Sequence, residues 1–117
     1  MIQNVLASLA VRDLSAASQW YEKVLGRPAD TKPMPEVAEW TFERGGVLQV
    51  YELPERAGAG SCTLAVSDIE EEARKLSAHG IDTSQRASGK TVKTLMIADL
   101  DGNHIAFAQA LDPSISR

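Results

Sequence analysis

From Val5 to Val11 every residue is apolar or small, and alternation sets Ala7, Leu9 and Val11 on one side against Leu6, Ser8 and Ala10 on the other. That pattern predicts a strand with two faces. Asp13 then offers the side chain an N-cap needs, since its carboxylate can accept from the free amides of a first helical turn. Leu14, Ala17, Tyr21, Val24 and Leu25 recur at helical spacing, Trp20 widens the stripe, and Gly26 can take the left-handed conformation that ends a helix. Pro28, Pro33 and Pro35 lack the ladder donor, so the stretch they bracket is a short edge strand or a loop. Glu36 to Glu43 alternates again, with Val37, Glu39, Thr41 and Glu43 opposite Ala38, Trp40 and Phe42. Gly45-Gly46 signals a tight hairpin, and Val47 to Leu53 returns with Val47, Gln49 and Tyr51 on one face and Leu48 and Val50 on the other.

After Pro54 and the linker-like Ala57-Gly58-Ala59-Gly60, the pattern starts over. Leu9-Ala10-Val11-Arg12-Asp13-Leu14 comes back as Leu64-Ala65-Val66-Ser67-Asp68-Ile69. Ser61 to Val66 reads as a strand. Asp68 and Glu71 have the spacing of a capping box, Glu70, Glu71 and Glu72 favour the helix N-terminus electrostatically, and Ile69, Ala73, Leu76 and Ile81 mark a buried side closed by Gly80. A weak edge strand from Ile81 to Ala87, a stronger one from Thr91 to Ala98, an Asp101-Gly102 turn and a last strand from Asn103 to Gln109 complete the second half. The tail from Leu111 to Arg117 has no periodicity and is expected to be mobile. Each half is strand, helix, then three strands, and a unit that cannot cover its own apolar face needs its neighbour.

Composition narrows the functional classes. The chain has 117 residues, 44% hydrophobic and 24% charged, with a net charge of −4 and a pI near 5.1, which fits one globular domain. Nucleic-acid binding is not expected: it needs clustered cations to displace counterions, and the nearest approach, Arg86, Lys90 and Lys93, reads as a solvated loop and strand face. No apolar run approaches the ~20 residues of a membrane span. The N-terminus lacks the basic and apolar regions of a signal peptide, and the single cysteine, Cys62, suits a reducing compartment. A cytoplasmic protein with no membrane partner is the expectation.

Three stretches carry a family likeness: Leu9-Ala10-Val11-Arg12-Asp13-Leu14, Trp20-Tyr21-Glu22-Lys23-Val24-Leu25-Gly26, and Asp99-Leu100-Asp101-Gly102-Asn103. Together with the doubled element order, they resemble the vicinal-oxygen-chelate superfamily, which includes glyoxalase I, extradiol dioxygenases and the bleomycin- and fosfomycin-resistance proteins. Leu100 stands where the family pattern usually has proline. The resemblance implies an α+β fold of two βαβββ modules, residues 3–54 and 60–110, within one glyoxalase/bleomycin-resistance-like domain. Their strands would form an eight-stranded U-shaped mixed sheet, with helices outside and a ligand cleft inside.

Metal-dependent members place up to four ligands in that cleft, and the resemblance carries those positions to Leu6, Gln49, Ser61 and Ala106. Leu6 and Ala106 have no lone pair to offer, Gln49 has an amide oxygen and Ser61 a weak hydroxyl, whereas catalytic metal sites usually hold about three donors from His, Cys, Asp or Glu. No metal or other cofactor is therefore expected. The function this implies is metal-independent binding of a small molecule in the cleft, by a homodimer, with Ser8, Trp40, Gln49, Tyr51, Ser61, Thr63 and His104 as the candidate contacts. An imidazole is the side chain suited to acid-base chemistry near neutral pH, and alternation turns His104 toward the same cleft as Ala106. Its plainer reading is a turn histidine. Tyr51 shares a face with Gln49, and Trp40 is either cleft wall or subunit contact. Trp20 and Phe42 read as packing residues, His79 as a cation at a helix C-terminus, and Cys62 as a small core residue. The alternatives are a metal-dependent lyase, isomerase or dioxygenase with non-standard ligands, and an interaction module whose cleft has closed.

Overall fold

Each module of the computed structural model, which describes residues 1–112 and 114, begins with a strand that feeds a capped helix. Strand β1, Leu6–Val11, leads to α1, Leu14–Leu25. Asp13 caps α1 by accepting from the Ala16 amide at 3.2 Å, and Gly26 closes it at φ 80°. Strand β5, Ser61–Ala65, leads likewise to α2, Ile69–Ala78. One Asp68 oxygen accepts from both the Glu70 and Glu71 amides, at 3.1 and 3.2 Å. Glu71 is turned to Lys75 Nζ at 3.1 Å rather than back to the Asp68 amide, so only the Asp68 half of the expected capping box is made. The repeat extends to a second cap. Glu52 accepts from the first amide of α1, Leu14, and Gln109 accepts from the first amide of α2, Ile69, each at 3.0 Å.

Three strands follow each helix. In the first module these are β2, Thr31–Met34, β3, Val37–Thr41, and β4, Val47–Glu52; in the second, β6, Arg86–Ser88, β7, Val92–Ala98, and β8, His104–Ala110. The sheets have the matching orders β1-β4-β3-β2 and β5-β8-β7-β6, with the first pair of each parallel and the others antiparallel. The two βαβββ units are as expected, but hydrogen bonding makes two four-stranded sheets, whose edge strands β1 and β5 lie beside each other. Pro33 lies in the edge strand β2, the place a sheet tolerates it.

Two local expectations change. The weak strand placed at Ile81 to Ala87 shrinks to Arg86–Ser88. The Ile81 amide is drawn back to Leu76 O at 3.1 Å and Asp82 accepts from the Ser84 amide at 2.9 Å, so pairing with β7 begins only at Gln85, whose carbonyl accepts from the Met96 amide at 2.9 Å. An unforeseen single 3-10 turn, Pro54–Arg56, also precedes the linker at residues 57–60. As for the tail, Pro113 and residues 115–117 lie outside the described residues, while the Leu111 amide bonds to Thr91 O at 2.8 Å.

Both helices cover the same side of the paired sheets. A single apolar cluster joins Leu9, Val11, Ala38, Trp40, Leu48 and Val50 under α1 to Leu95, Ile97, Ile105 and Phe107 under α2. The extents of 42 × 41 × 24 Å match one sheet layer plus one helix layer, each ~10 Å thick. Among the described residues, such a slab leaves the other sheet face with no layer packed on it.

The modules are joined by a buried polar clasp. Asp99 and Asn103 are 7% and 0% exposed. Tyr21 of α1 donates its hydroxyl to Asp99 Oδ2 at 2.7 Å, and the Asn103 side-chain amide donates to that same oxygen and to the Ala10 carbonyl, both at 2.8 Å. The Asp101 and Asn103 amides bond to Asp99 Oδ1 at 2.9 Å, and Asn103 Oδ1 accepts from the Gly60 amide at 2.9 Å. Every buried donor and acceptor in this set is thereby answered, as burial requires. The phenol's pKa is pushed well above its usual value, first by burial and then by its bond to the Asp99 carboxylate.

Candidate functional site

Strand register decides which side chains share the uncovered face. Ser8 stands opposite Gln49, Ala10 opposite Tyr51, and Gln49 opposite Glu39, so Leu6, Ser8, Val47, Gln49, Tyr51 and Glu39 project together from the first sheet. Three of them, Ser8, Gln49 and Glu39, are hydrogen-bonded in series. The Ser8 hydroxyl donates to Gln49 Oε1 at 3.0 Å, and Gln49 Nε2 donates to Glu39 Oε2 at 2.8 Å. Thr31 Oγ1 approaches Glu39 Oε1 at 3.4 Å.

On the second sheet Ser61 stands opposite His104 and Thr63 opposite Ala106. Ser61, Thr63 and His104 are exposed and Ala106 is half-buried. The structure therefore brings Ser8, Gln49 and Tyr51 to one half of the uncovered face and Ser61, Thr63 and His104 to the other.

Trp40 does not join them. It is 0% exposed on the helix side, where its ring centroid is 5.8 Å from that of Tyr21 and its Nε1 donates to the Arg27 carbonyl at 3.0 Å. The correction follows from period-two alternation: with Glu39 on the uncovered face, its neighbour Trp40 must be beneath it. Cys62 likewise points inward, and burial, with a smaller contribution from Asp99, pushes its thiol up to about 11. That is the opposite of an activated nucleophile. Glu39 was absent from the candidates drawn from the sequence. Its signal was the alternation that set it beside Val37 and Thr41, but only the register with β4 shows that it meets Gln49.

The donor set does not fit a divalent metal. Of the four positions the family likeness singles out, Leu6 and Ala106 are hydrocarbon, and Gln49 has its amide oxygen engaged by Ser8. Among the described residues no three His, Cys, Asp or Glu side chains are grouped as a metal site would need. The structure does contain two adjoining cavities, of about 310 and 490 Å³, but both lie against α2. They share Glu70 and Arg86, which form an ion pair at 2.6 Å.

The sequence matches the Glyoxalase/Bleomycin resistance protein/Dioxygenase superfamily over residues 2–107. The chain belongs to this superfamily. Among curated proteins no match is found. Among solved structures, a glyoxalase/bleomycin resistance protein from Catenulispora acidiphila DSM 44928 is 32% identical, with a TM-score of 0.84 over 92% of this chain and 98% of that one. Two more distant structures share the fold. TnmS3, an antibiotic-binding protein from Streptomyces sp. CB03234, is 18% identical, with a TM-score of 0.77 over 94% of this chain and 97% of that one. A lactoylglutathione lyase from Agrobacterium tumefaciens is 19% identical, with a TM-score of 0.74 over 92% of both chains. The same fold is thus found in a protein described as antibiotic-binding and in one described as a lyase, and fold alone does not fix function. No helix among the described residues is long and apolar enough to cross a membrane.

Proposed function

We propose that this superfamily member is a metal-independent small-molecule-binding protein, its ligand lying against the uncovered sheet face at Ser8, Gln49, Tyr51, Ser61, Thr63 and His104. The observation that carries the reading is the state of the inherited ligand positions: two are hydrocarbon, and the one strong neutral donor, Gln49, spends its oxygen on Ser8. A polar face with hydroxyl, amide and imidazole groups, set on rigid strands, is suited to orienting a ligand by hydrogen bonds. The reading includes a homodimer in the cytoplasm. Exposed apolar side chains such as Leu6, Met34 and Leu100 and the free Cys62 support those two points, and light scattering after size exclusion tests the first.

A thermal-shift screen of metabolites and antibiotics tests the binding itself. A true ligand at a hundred times its Kd stabilises by about 2.7 kcal/mol, and Gln49→Ala should reduce the shift. A broad panel that leaves the melting point unmoved counts against the proposal. The alternative, a metal-dependent lyase, isomerase or dioxygenase, makes the opposite forecast. Chelator-stripped protein would then take up nickel, zinc, manganese or ferrous iron stoichiometrically, and lose it on His104→Ala or Gln49→Ala.

A further inference from the structure

The geometry points to an organic cation, a protonated amine or quaternary ammonium group, as the ligand chemistry of the uncovered face, with Glu39 as its counter-charge and Tyr51 as the surface it lies on. This rests on the binding reading above and narrows it.

The first observation is the distribution of charge. Following the register through β1, β3, β4, β5, β7 and β8, the positions facing away from the helices contain no lysine or arginine. Their titratable side chains are Glu39, Tyr51 and His104. On these six strands Glu39 is thus the single carboxylate among positions that hold no lysine or arginine, and four ion pairs among the described residues, Arg12–Asp101, Arg27–Asp30, Lys75–Glu71 and Arg86–Glu70, do not involve it.

The second observation is that Glu39 is half-buried and held. Gln49 Nε2 fixes one oxygen at 2.8 Å, while the other has only the long approach of Thr31. Two carboxylate oxygens offer about four lone-pair sites, so accepting capacity remains on the uncovered side. A glutamine at this position would serve the Gln49 bond equally well and avoid the cost of desolvating a charge. The negative charge itself is what the local hydrogen bonding leaves without a use.

The third is Tyr51. It lies two residues along β4 from Gln49, on the same face, which makes it the diagonal neighbour of Glu39 across the β3–β4 pair. Diagonal pairs are about 7–8 Å apart, room for an ammonium group between carboxylate and ring. A cation over a tyrosine face gains from the ring quadrupole in addition to the ion pair. The metal-poor donor set and the single carboxylate fit this chemistry: one negative charge pairs with a monovalent organic cation.

The test uses three probes of similar shape, benzyltrimethylammonium, benzyl alcohol and benzoate, titrated into the isotope-labelled protein and followed by amide chemical shifts and calorimetry. The ammonium probe should move the Ser8, Gln49 and Tyr51 amides saturably and bind more tightly than the other two. Its affinity should fall with added salt. Glu39→Gln, which keeps the bond to Gln49, should leave the melting point unchanged and weaken the ammonium probe by about tenfold or more, the span of a charge-assisted contact. Equal binding of benzyl alcohol or benzoate at those amides, or equal ammonium binding by Glu39→Gln, overturns the cation assignment and leaves the binding reading standing. If no probe binds but a compound from the metabolite screen does, a cation lost on Glu39→Gln supports the assignment and a neutral or anionic compound overturns it. If nothing in either set binds the face, both readings fall together.

Discussion

Replacing Tyr21 by phenylalanine isolates the bond on which the joint between modules depends. The substitution keeps the ring that packs between Trp20 and Trp40, with centroids 4.9 and 5.8 Å away, and deletes only the hydroxyl that reaches Asp99 at 2.7 Å. A hydrogen bond to a charged group is worth about 1.5–3 kcal/mol. Asp99 keeps three other donors, the Asp101 and Asn103 amides and the Asn103 side chain, which places Tyr21→Phe at about 2 kcal/mol. With an unfolding entropy of about 2.1 cal/mol/K per residue, that corresponds to a Tm lower by about 8 °C. Differential scanning calorimetry at pH 8 reads it directly. The variant also has a pH signature. The folded phenol's pKa is raised, so the group favours folding fully below its unfolded value of about 10, and that contribution is lost as pH climbs from there toward the folded value. Above pH 10 the unfolded chain binds fewer protons than the native one, and stability must fall. The advantage of wild type over Tyr21→Phe should therefore shrink by about 1.4 kcal/mol between pH 9 and 11. A Tm change under about 2 °C, or a gap that widens with pH, would show that the phenol–carboxylate bond does not hold the modules as described.

Three further outcomes can be checked. Gly58 has φ +88°, and a Cβ there would overlap the Asp101 carbonyl, so Gly58→Ala should cost more than ~2 kcal/mol in urea denaturation, while Gly46→Ala, with open space around it, should stay within ~0.5 kcal/mol. Asp68→Ala removes the acceptor for two α2 amides and should cost about 1 kcal/mol, read as a shifted urea midpoint with an unchanged slope; no shift would mean that solvent caps the helix equally well. Because the Cys62 thiol is pushed up to about 11 from 9.0, its thiolate population at pH 8 is about a hundredfold below that of the unfolded chain, and iodoacetamide should alkylate it correspondingly slowly until urea is added. Native and unfolded rates within a few-fold of each other would contradict its placement.

Local pattern was enough for the elements themselves, because a strand's alternation, a helix's stripe and a cap's side chain are properties of neighbouring residues. Asp13, Gly26 and Asp68 acted where short-range chemistry put them, and the doubled Leu-Ala-Val motif already announced two equivalent modules. The strand expected at Ile81 to Ala87 shows the limit, since the Ile81 amide was claimed by the helix end and the Ser84 amide by the Asp82 side chain, leaving only Arg86 and Ala87 of that segment in a strand.

What only the tertiary structure decided is which side chains meet. Trp40 and Glu39 are adjacent in the chain, and either could have been the cleft residue until the register of β3 with β4 fixed Glu39 beside Gln49 and sent Trp40 under the sheet. The Tyr21–Asp99–Asn103 clasp likewise joins residues 78 positions apart. Each choice depends on a side chain's distance from partners far along the chain, and such distances exist only once the strands have paired and the modules have closed on one another.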